Sequence, residues 1–232
     1  MAARGASAVV VVTGGDPLDR AVLAAVPVDA VVVAADSGVD QAFALGLRIH
    51  TAVGDFDSAT PAGLERAAAE GAAVERHPAA KDATDLELAL DTARGFDPGR
   101  IIVLGGHGGR LDHLLANALA LAAPALADID VVALMGPARV AVVRPGRTVV
   151  LGGEPGDLVT LLPVHGPARG VLTDGLLYPL HHEDLRVGST RGVSNELIRA
   201  RATVDLRAGV LLAVQPGEAG THLLQPPTEP PR

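Results

Sequence analysis

Residues 30–58 read AVVVAADSGVDQAFALGLRIHTAVGDFDS. The stretch opens with an apolar run, Ala30–Ala35, that lacks polar alternation, as a strand buried on both faces requires. A helix-like segment, Val39–Leu45, follows, and then a second short run, His50–Val53. Strand, helix and strand in such close succession make a β-α-β unit, the building block of a parallel sheet. Both strands run into acidic turns: Asp36 follows the first, and Asp55 and Asp57 follow the second.

The same alternation extends in both directions. Further strands are expected at Ala8–Thr13, Ala73–Arg76, Arg100–Leu104 and Asp130–Leu134. Helices are expected at Pro17–Val26, Pro61–Glu70, Asp85–Ala93 and Leu111–Ala122. From Gly136 the long helical pattern stops. Short strand-like runs (Val140–Val143, Thr148–Leu151, Leu158–Leu162, Gly170–Thr173, Ala202–Leu206, Val210–Val214) are separated by Gly, Pro and Asp turns, a spacing that predicts an antiparallel sandwich. The expected class is therefore α/β, with an N-terminal open parallel sheet flanked by helices over residues 1–135. An all-β sandwich over 136–224 and a proline-rich, disordered tail over 225–232 complete it.

Composition narrows the function. The chain has 232 residues, 48% of them hydrophobic, enough for a sizeable core. Its formal net charge of −8 disfavours nucleic acid or an anionic membrane as a partner. Aromatics are only 2% (Phe43, Phe56, Phe96, Tyr178), so base-stacking platforms are not expected. The absence of cysteine excludes disulfides and thiolate chemistry and fits a reducing cytoplasm. The run Ala8–Val12 is too short for a secretory core, and no apolar stretch approaches the ~20 residues of a membrane span.

Ligands of open parallel sheets bind beyond the carboxyl ends of the strands. Asp36, Asp55 and Asp57, Asp82 and Asp85, and Asp112 follow four successive predicted strands, so six aspartates are expected on one rim. One such residue alone is readily a helix cap or turn former, as the capping-box spacing Thr84-x-x-Glu87 illustrates. Several together repel one another, and a hard cation such as Mg²⁺ carrying a polyphosphate offsets that repulsion. The loop Gly105-Gly106-His107-Gly108-Gly109 between strand and helix is either a tight structural turn or a phosphate cradle of backbone N–H groups. It is not a Walker A loop, because no Lys-Ser/Thr follows the glycines. On the helix behind it, Leu111, Leu114, Leu115, Ala118 and Leu119 are expected to be buried, with Arg110, His113 and Asn117 on another face. His107 and His113 are read as incidental, His181 and His182 as surface residues, and Tyr178 as core. Histidines with zinc spacing and a Gly-x-Ser-x-Gly elbow are both missing.

Taken in order, Ala35-Asp36-Ser37-Gly38, Gly54-Asp55-Phe56-Asp57-Ser58, Lys81-Asp82-Ala83-Thr84-Asp85 and Gly108-Gly109-Arg110-Leu111-Asp112-His113 resemble the motifs of thiamine pyrophosphokinases. Gly175-Leu176-Leu177-Tyr178-Pro179-Leu180 and Arg191-Gly192-Val193-Ser194-Asn195-Glu196 resemble that family's C-terminal domain. The resemblance implies a homodimer that transfers the terminal diphosphate of ATP to the thiamine hydroxyl, giving thiamine diphosphate and AMP, in a site shared between subunits. Carried over by motif, Asp55, Asp57 and Asp85 hold Mg²⁺, and Asp57, Asp82, Asp85 and Arg110 are catalytic. Asp36, Ser37, Gly38, Gly105, Gly106, Gly108, Gly109, Arg110, Asp112 and Asn117 bind ATP, and Ser194 and Asn195 bind thiamine. Two departures stand out: Ser37 replaces a usual glycine and is expected to narrow the nucleotide site, and Ala83 replaces a commonly polar residue. Other readings are an Asp-x-Asp nucleotide-using transferase of another class and a non-catalytic nucleotide-sensing homologue.

Overall fold

The computed structural model describes residues 5–80 and 82–217; the proline-rich tail lies outside them. The chain divides into two compact units, Met1–Gly136 and Pro137–Arg232. The first unit contains six strands: β1 (Ala8–Val12), β2 (Val31–Ala35), β3 (Thr51–Gly54), β4 (Ala73–Arg76), β5 (Arg100–Leu104) and β6 (Asp130–Met135). Four α-helices connect them: α1 (Gly38–Leu45), α2 (Pro61–Ala69), α3 (Asp85–Arg94) and α4 (Leu111–Ala120). Within the unit the strands run β6-β5-β1-β2-β3-β4, and every neighbouring pair is parallel.

That order is the consequence of burial. Val9–Val12 of β1 are wholly inaccessible, so each residue needs ladder partners on both sides and apolar cover on both faces. The chain lays β2, β3 and β4 successively to one side of β1, then crosses back to place β5 and β6 on the other. The order reverses between β1 and β5, which makes a crevice at their carboxyl ends.

The second unit contains β7 (Ala138–Val143), β8 (Val149–Gly152), β9 (Leu158–Pro163), β10 (Ala168–Asp174), β11 (His181–Leu185), β12 (Asn195–Glu196), β13 (Arg201–Asp205) and β14 (Leu211–Gln215). They form two groups, β12-β9-β14-β7 and β11-β10-β13-β8, antiparallel throughout. Buried and accessible residues alternate along β8 and β13, the signature of strands with one face on a core. The α/β unit and the all-β unit are those anticipated from periodicity. Strands β11 and β12 were not anticipated, because His181-His182-Glu183-Asp184 is almost wholly polar and β12 has only two residues.

Three expectations require correction. The helix expected over Pro17–Val26 is instead a 3-10 segment, Arg20–Ala25, capped by the Asp19 carboxylate, which accepts from Ala21 N at 2.7 Å. Only Val22 in it is buried, so an α-helix would have no stripe to pack, and Pro27 disfavours helical geometry at Val26. In α4 the expected buried stripe is largely outside: Leu111, Leu115 and Leu119 are 68%, 57% and 45% exposed, whereas Asn117 is buried. Periodicity reveals a stripe but not which way the helix turns it. Tyr178, expected in the core, is 65% exposed. His181 and His182 are on the surface as expected.

The entry into β3 carries a titratable joint. His50 Nδ1 accepts from Val32 N at 3.0 Å, and His50 N donates to Val32 O at 2.9 Å. Partial burial, with Arg48 nearby, pushes its pKa below the ordinary value, and protonation would abolish the acceptor. The unfolded chain therefore takes up this proton first, so the contribution of His50 is complete at neutral pH and is lost as pH falls below about 6.5. We expect Tm to fall between pH 7.5 and 5, and His50→Asn to flatten that slope; an unchanged slope would remove His50 as its source.

Candidate functional site

Each acidic residue is placed by the end of a strand. Asp36 follows β2 in left-handed conformation, φ 46°, which stops the strand and starts α1, while its N–H still reaches Val53 O at 3.0 Å. Phe56, between Asp55 and Asp57, is also left-handed at φ 60°, and Arg76 covers its ring at 5.1 Å. Two non-glycine residues in this region within one loop pair is strain held in place by surrounding structure, a pattern concentrated at functional sites. Gly54 allows the approach: a β-carbon there would stand 2.9 Å from Asp85 Oδ1 and 3.3 Å from Asp36 N.

The result is a convergence of charge. Carboxylate oxygens of Asp36, Asp55 and Asp57 lie within 4.8 Å of one another. Ser58 holds two of them, its N–H on Asp36 Oδ1 at 3.4 Å and its hydroxyl on Asp57 Oδ1 at 2.8 Å. Burial pushes the Asp36 carboxyl above its ordinary value; N–H groups of Ser37 and Ser58 pull it back, and the charges of Asp85 and Asp57 raise it again. Asp85 opens α3 behind Thr84, whose hydroxyl accepts from Glu87 N at 3.2 Å as the capping-box spacing predicts. Asp36, Asp55 and Asp57 are the oxygen donors that could hold a hard divalent cation here.

These groups line one cavity of about 580 Å³, a usual volume for a small-molecule site. Its wall includes Asp36, Ser37, Asp55, Asp57 and Asp85 on one side and Gly106, Gly108, Arg110, His113 and Asn117 on the other. Thr13, Gly14 and Gly15, from the end of β1, also line it. The cavity thus occupies the crevice where strand order reverses. Arg110, His113 and Asn117 share the face of α4 that their spacing indicated. Asn117 is 9% exposed, and its amide donates to Gly106 O at 3.5 Å. Ser37 lines the cavity against Gly14, where a β-carbon would stand 2.3 Å from its Oγ.

Other residues singled out in the sequence stand elsewhere. Gly38 is buried at the start of α1, and Gly105, Gly109, Asp82 and Asp112 are not part of the cavity wall. Asp112 accepts twice from Arg110, at 3.1 and 2.6 Å, and those bonds hold its carboxyl down at about 2. In the second unit Ser194 is exposed and left-handed, φ 57°, with its N–H on Thr160 Oγ1 at 3.1 Å. Asn195 is buried and committed to backbone: its Oδ1 accepts from Tyr178 N and Glu196 N, and its Nδ2 donates to Tyr178 O at 2.8 Å. Asn195 therefore fixes the loop that presents Tyr178. Sequence reading passed over Gln41, whose amide donates to Gly15 O and Asp16 O and accepts from Leu18 N; no local signal marks it.

The architecture recurs in known proteins. A family model described as thiamin pyrophosphokinase, catalytic domain, matches residues 26–133, and one described as its vitamin B1 binding domain matches residues 148–211. The thiamine pyrophosphokinase of Bacillus subtilis is 31% identical over 180 residues, covering 78% of this chain and 84% of that one. The crystal structure of a Bacillus subtilis thiamine pyrophosphokinase superposes with TM-score 0.79 at 28% identity, covering 91% of this chain and 99% of that one. A Geobacillus thermodenitrificans thiamin pyrophosphokinase gives TM-score 0.76 at 29% identity, with 92% and 99% covered. The chain belongs to the thiamine pyrophosphokinase family.

Proposed function

We propose that this member of the family transfers the diphosphate of ATP to the hydroxyl of thiamine through the carboxylate-lined cavity of its first unit. The convergence of Asp36, Asp55 and Asp57 within 4.8 Å beside a glycine loop carries the reading. Asp55 and Asp57, flanked by Asp36 and Asp85, fit Mg²⁺: all are oxygen donors, and the repulsion among them is what a divalent cation relieves. Bound there, Mg²⁺ would neutralise charge on the phosphates.

The hydroxyl oxygen of thiamine bonds to the β-phosphorus of ATP while the bond from that phosphorus to the α–β bridging oxygen breaks. AMP leaves with the electron pair, and the hydroxyl proton passes to solvent. Little covalent work falls to the protein, so catalysis is positioning and charge stabilisation. Gly108 offers its backbone N–H group to phosphate oxygens, while Gly106, its own N–H on Gly14 O at 2.8 Å, keeps the loop close to the end of β1; Asn117 holds the nucleotide. Arg110, steered by Asp112, keeps further N–H groups for developing charge. Asp82, exposed beside this wall, supports the metal-binding residues.

In the second unit, Ser194 offers a hydroxyl to thiamine, and Asn195 acts by holding Tyr178, whose exposed ring is the available platform for a thiamine ring. We read the protein as a cytoplasmic homodimer with a site shared between subunits. The leucines exposed on α4 support self-association, because an apolar stripe at intervals of four residues is costly to leave in water. Among the described residues no helix is long and apolar enough to cross a membrane. Neither a nucleotide-using transferase of another class nor a non-catalytic homologue is favoured, since both family models match.

AMP release from ATP, measured with and without thiamine, tests the reaction; release that ignores thiamine would overturn it. Asp57→Asn should keep Tm and lower thiamine-dependent AMP formation by about 100-fold or more, and near-normal turnover would remove Asp57 from the metal site. Ser194→Ala should raise KM for thiamine at unchanged Tm. Asn195→Ala should lower unfolding stability by about 1–3 kcal/mol, because it strands buried backbone N–H groups. Equal stability of the two variants in denaturant titration would contradict that division of roles. Leu115→Asp should shift light-scattering mass from dimer toward monomer, and an unchanged dimer would place the interface elsewhere.

A further inference from the structure

The loop Gly105–Gly109 has a single side chain. Four glycines have more conformational freedom than any other residues would have there, yet Gly106 and Gly108 line the cavity. Something must hold this loop in one arrangement if it is to receive a ligand at low entropic cost. Two backbone bonds across the crevice do part of this: Gly106 N donates to Gly14 O and Asp16 N donates to His107 O, both at 2.8 Å. His107, the remaining residue of the loop, adds the side-chain link, with Nδ1 3.0 Å from Asp16 Oδ2.

The surroundings are shaped to this pair. A β-carbon on Gly108 would stand 2.2 Å from Asp16 Oδ1, so the carboxylate lies directly over the loop. A β-carbon on Gly136 would come within 2.8 Å of the His107 ring, which packs against that bare backbone. On its other flank the segment bearing Asp16 is tied to α1 by three hydrogen bonds of Gln41. Asp16 therefore passes the rigidity of α1 to the glycine loop.

We propose that Asp16 and His107 form a clip that fixes the two loops at the switch point in the shape that receives the phosphates of ATP. This rests on the ATP reading given above. Neither side chain lines the cavity, so both are positioning residues. Their side chains are 60% and 40% exposed, and a pair so accessible adds little to global stability. Its effect is local: it selects among loop conformations that the glycines otherwise leave open. His107 is thereby a specific element of the nucleotide site, in place of the incidental residue expected from sequence.

The clip is tested by His107→Ala, Asp16→Ala and the rescue variant His107→Asn, whose amide nitrogen stands where Nδ1 stood. His107→Ala and Asp16→Ala should each raise KM for MgATP about five- to tenfold, the scale of one hydrogen bond of ordinary net strength, as fits a solvent-accessible pair. KM for thiamine, kcat at saturating ATP and Tm should stay within about twofold or error of wild type, and His107→Asn should restore KM for MgATP. In the free protein, hydrogen exchange of the 104–110 segment should quicken in His107→Ala and not in His107→Asn. Unchanged exchange overturns the clip whatever the ligand, and faster exchange with unchanged KM overturns its role in nucleotide binding. A parallel rise in thiamine KM, or a fall in Tm, reassigns the pair to general stability. Wild-type protein that shows no protection of residues 104–110 by MgATP would instead sink the ATP reading.

Discussion

Strand β1 is the constraint on which the first unit is built. Its valines are inaccessible on both faces, and its backbone is bonded to parallel neighbours on both sides, β2 and β5. Unpaired backbone groups at that depth would be prohibitive, so the chain must supply a partner on each side. It does so by building outward in one direction and then crossing back. The crossing puts the reversal of strand order between β1 and β5, the place where such sheets form a crevice at their carboxyl ends. Asp36, Ser37, Gly106, Gly108, Arg110 and Asn117 stand around that crevice.

Unlike charges meet at this point. Carboxylates approach from the β2, β3 and α3 side, and N–H donors from the glycine loop and α4. Between them lies a cavity that can hold a strongly anionic ligand only if a cation accompanies it. Left-handed residues Asp36 and Phe56 aim the acids, and Ser58 N–H and hydroxyl groups hold them. The donor side is looser in composition, being mostly glycine, and needs tethering from Gln41, Asp16 and His107. One side is thus ordered by strain and hydrogen bonds to carboxylates, the other by links between loops.

Much of this was legible from residue order. The valine-rich strands announce themselves because burial on both faces removes polar alternation, and strand ends locate the aspartates without any knowledge of packing. The face of α4 bearing Arg110, His113 and Asn117 was also readable, since helical spacing is local geometry. The opposite expectation for its leucines failed for a different reason. A hydrophobic stripe is a property of one helix, but its burial depends on what lies beside it. Tyr178 failed likewise: Asn195, seventeen positions away, is buried in its stead and turns the tyrosine loop outward.

Sequence alone determined the six strands of the first unit, the parallel and antiparallel classes, the placing of Asp36, Asp55 and Asp57 at strand ends and the resemblance that names the chemistry, because each rests on periodicity or on a run of adjacent residues. Tertiary structure alone decided which acids converge, that Asn195 serves backbone, and that His107 meets Asp16 across 91 positions of chain. Such pairings depend on how strands are ordered in a sheet. Strand order is set by competition among many buried surfaces at once, and no local stretch of sequence records its outcome.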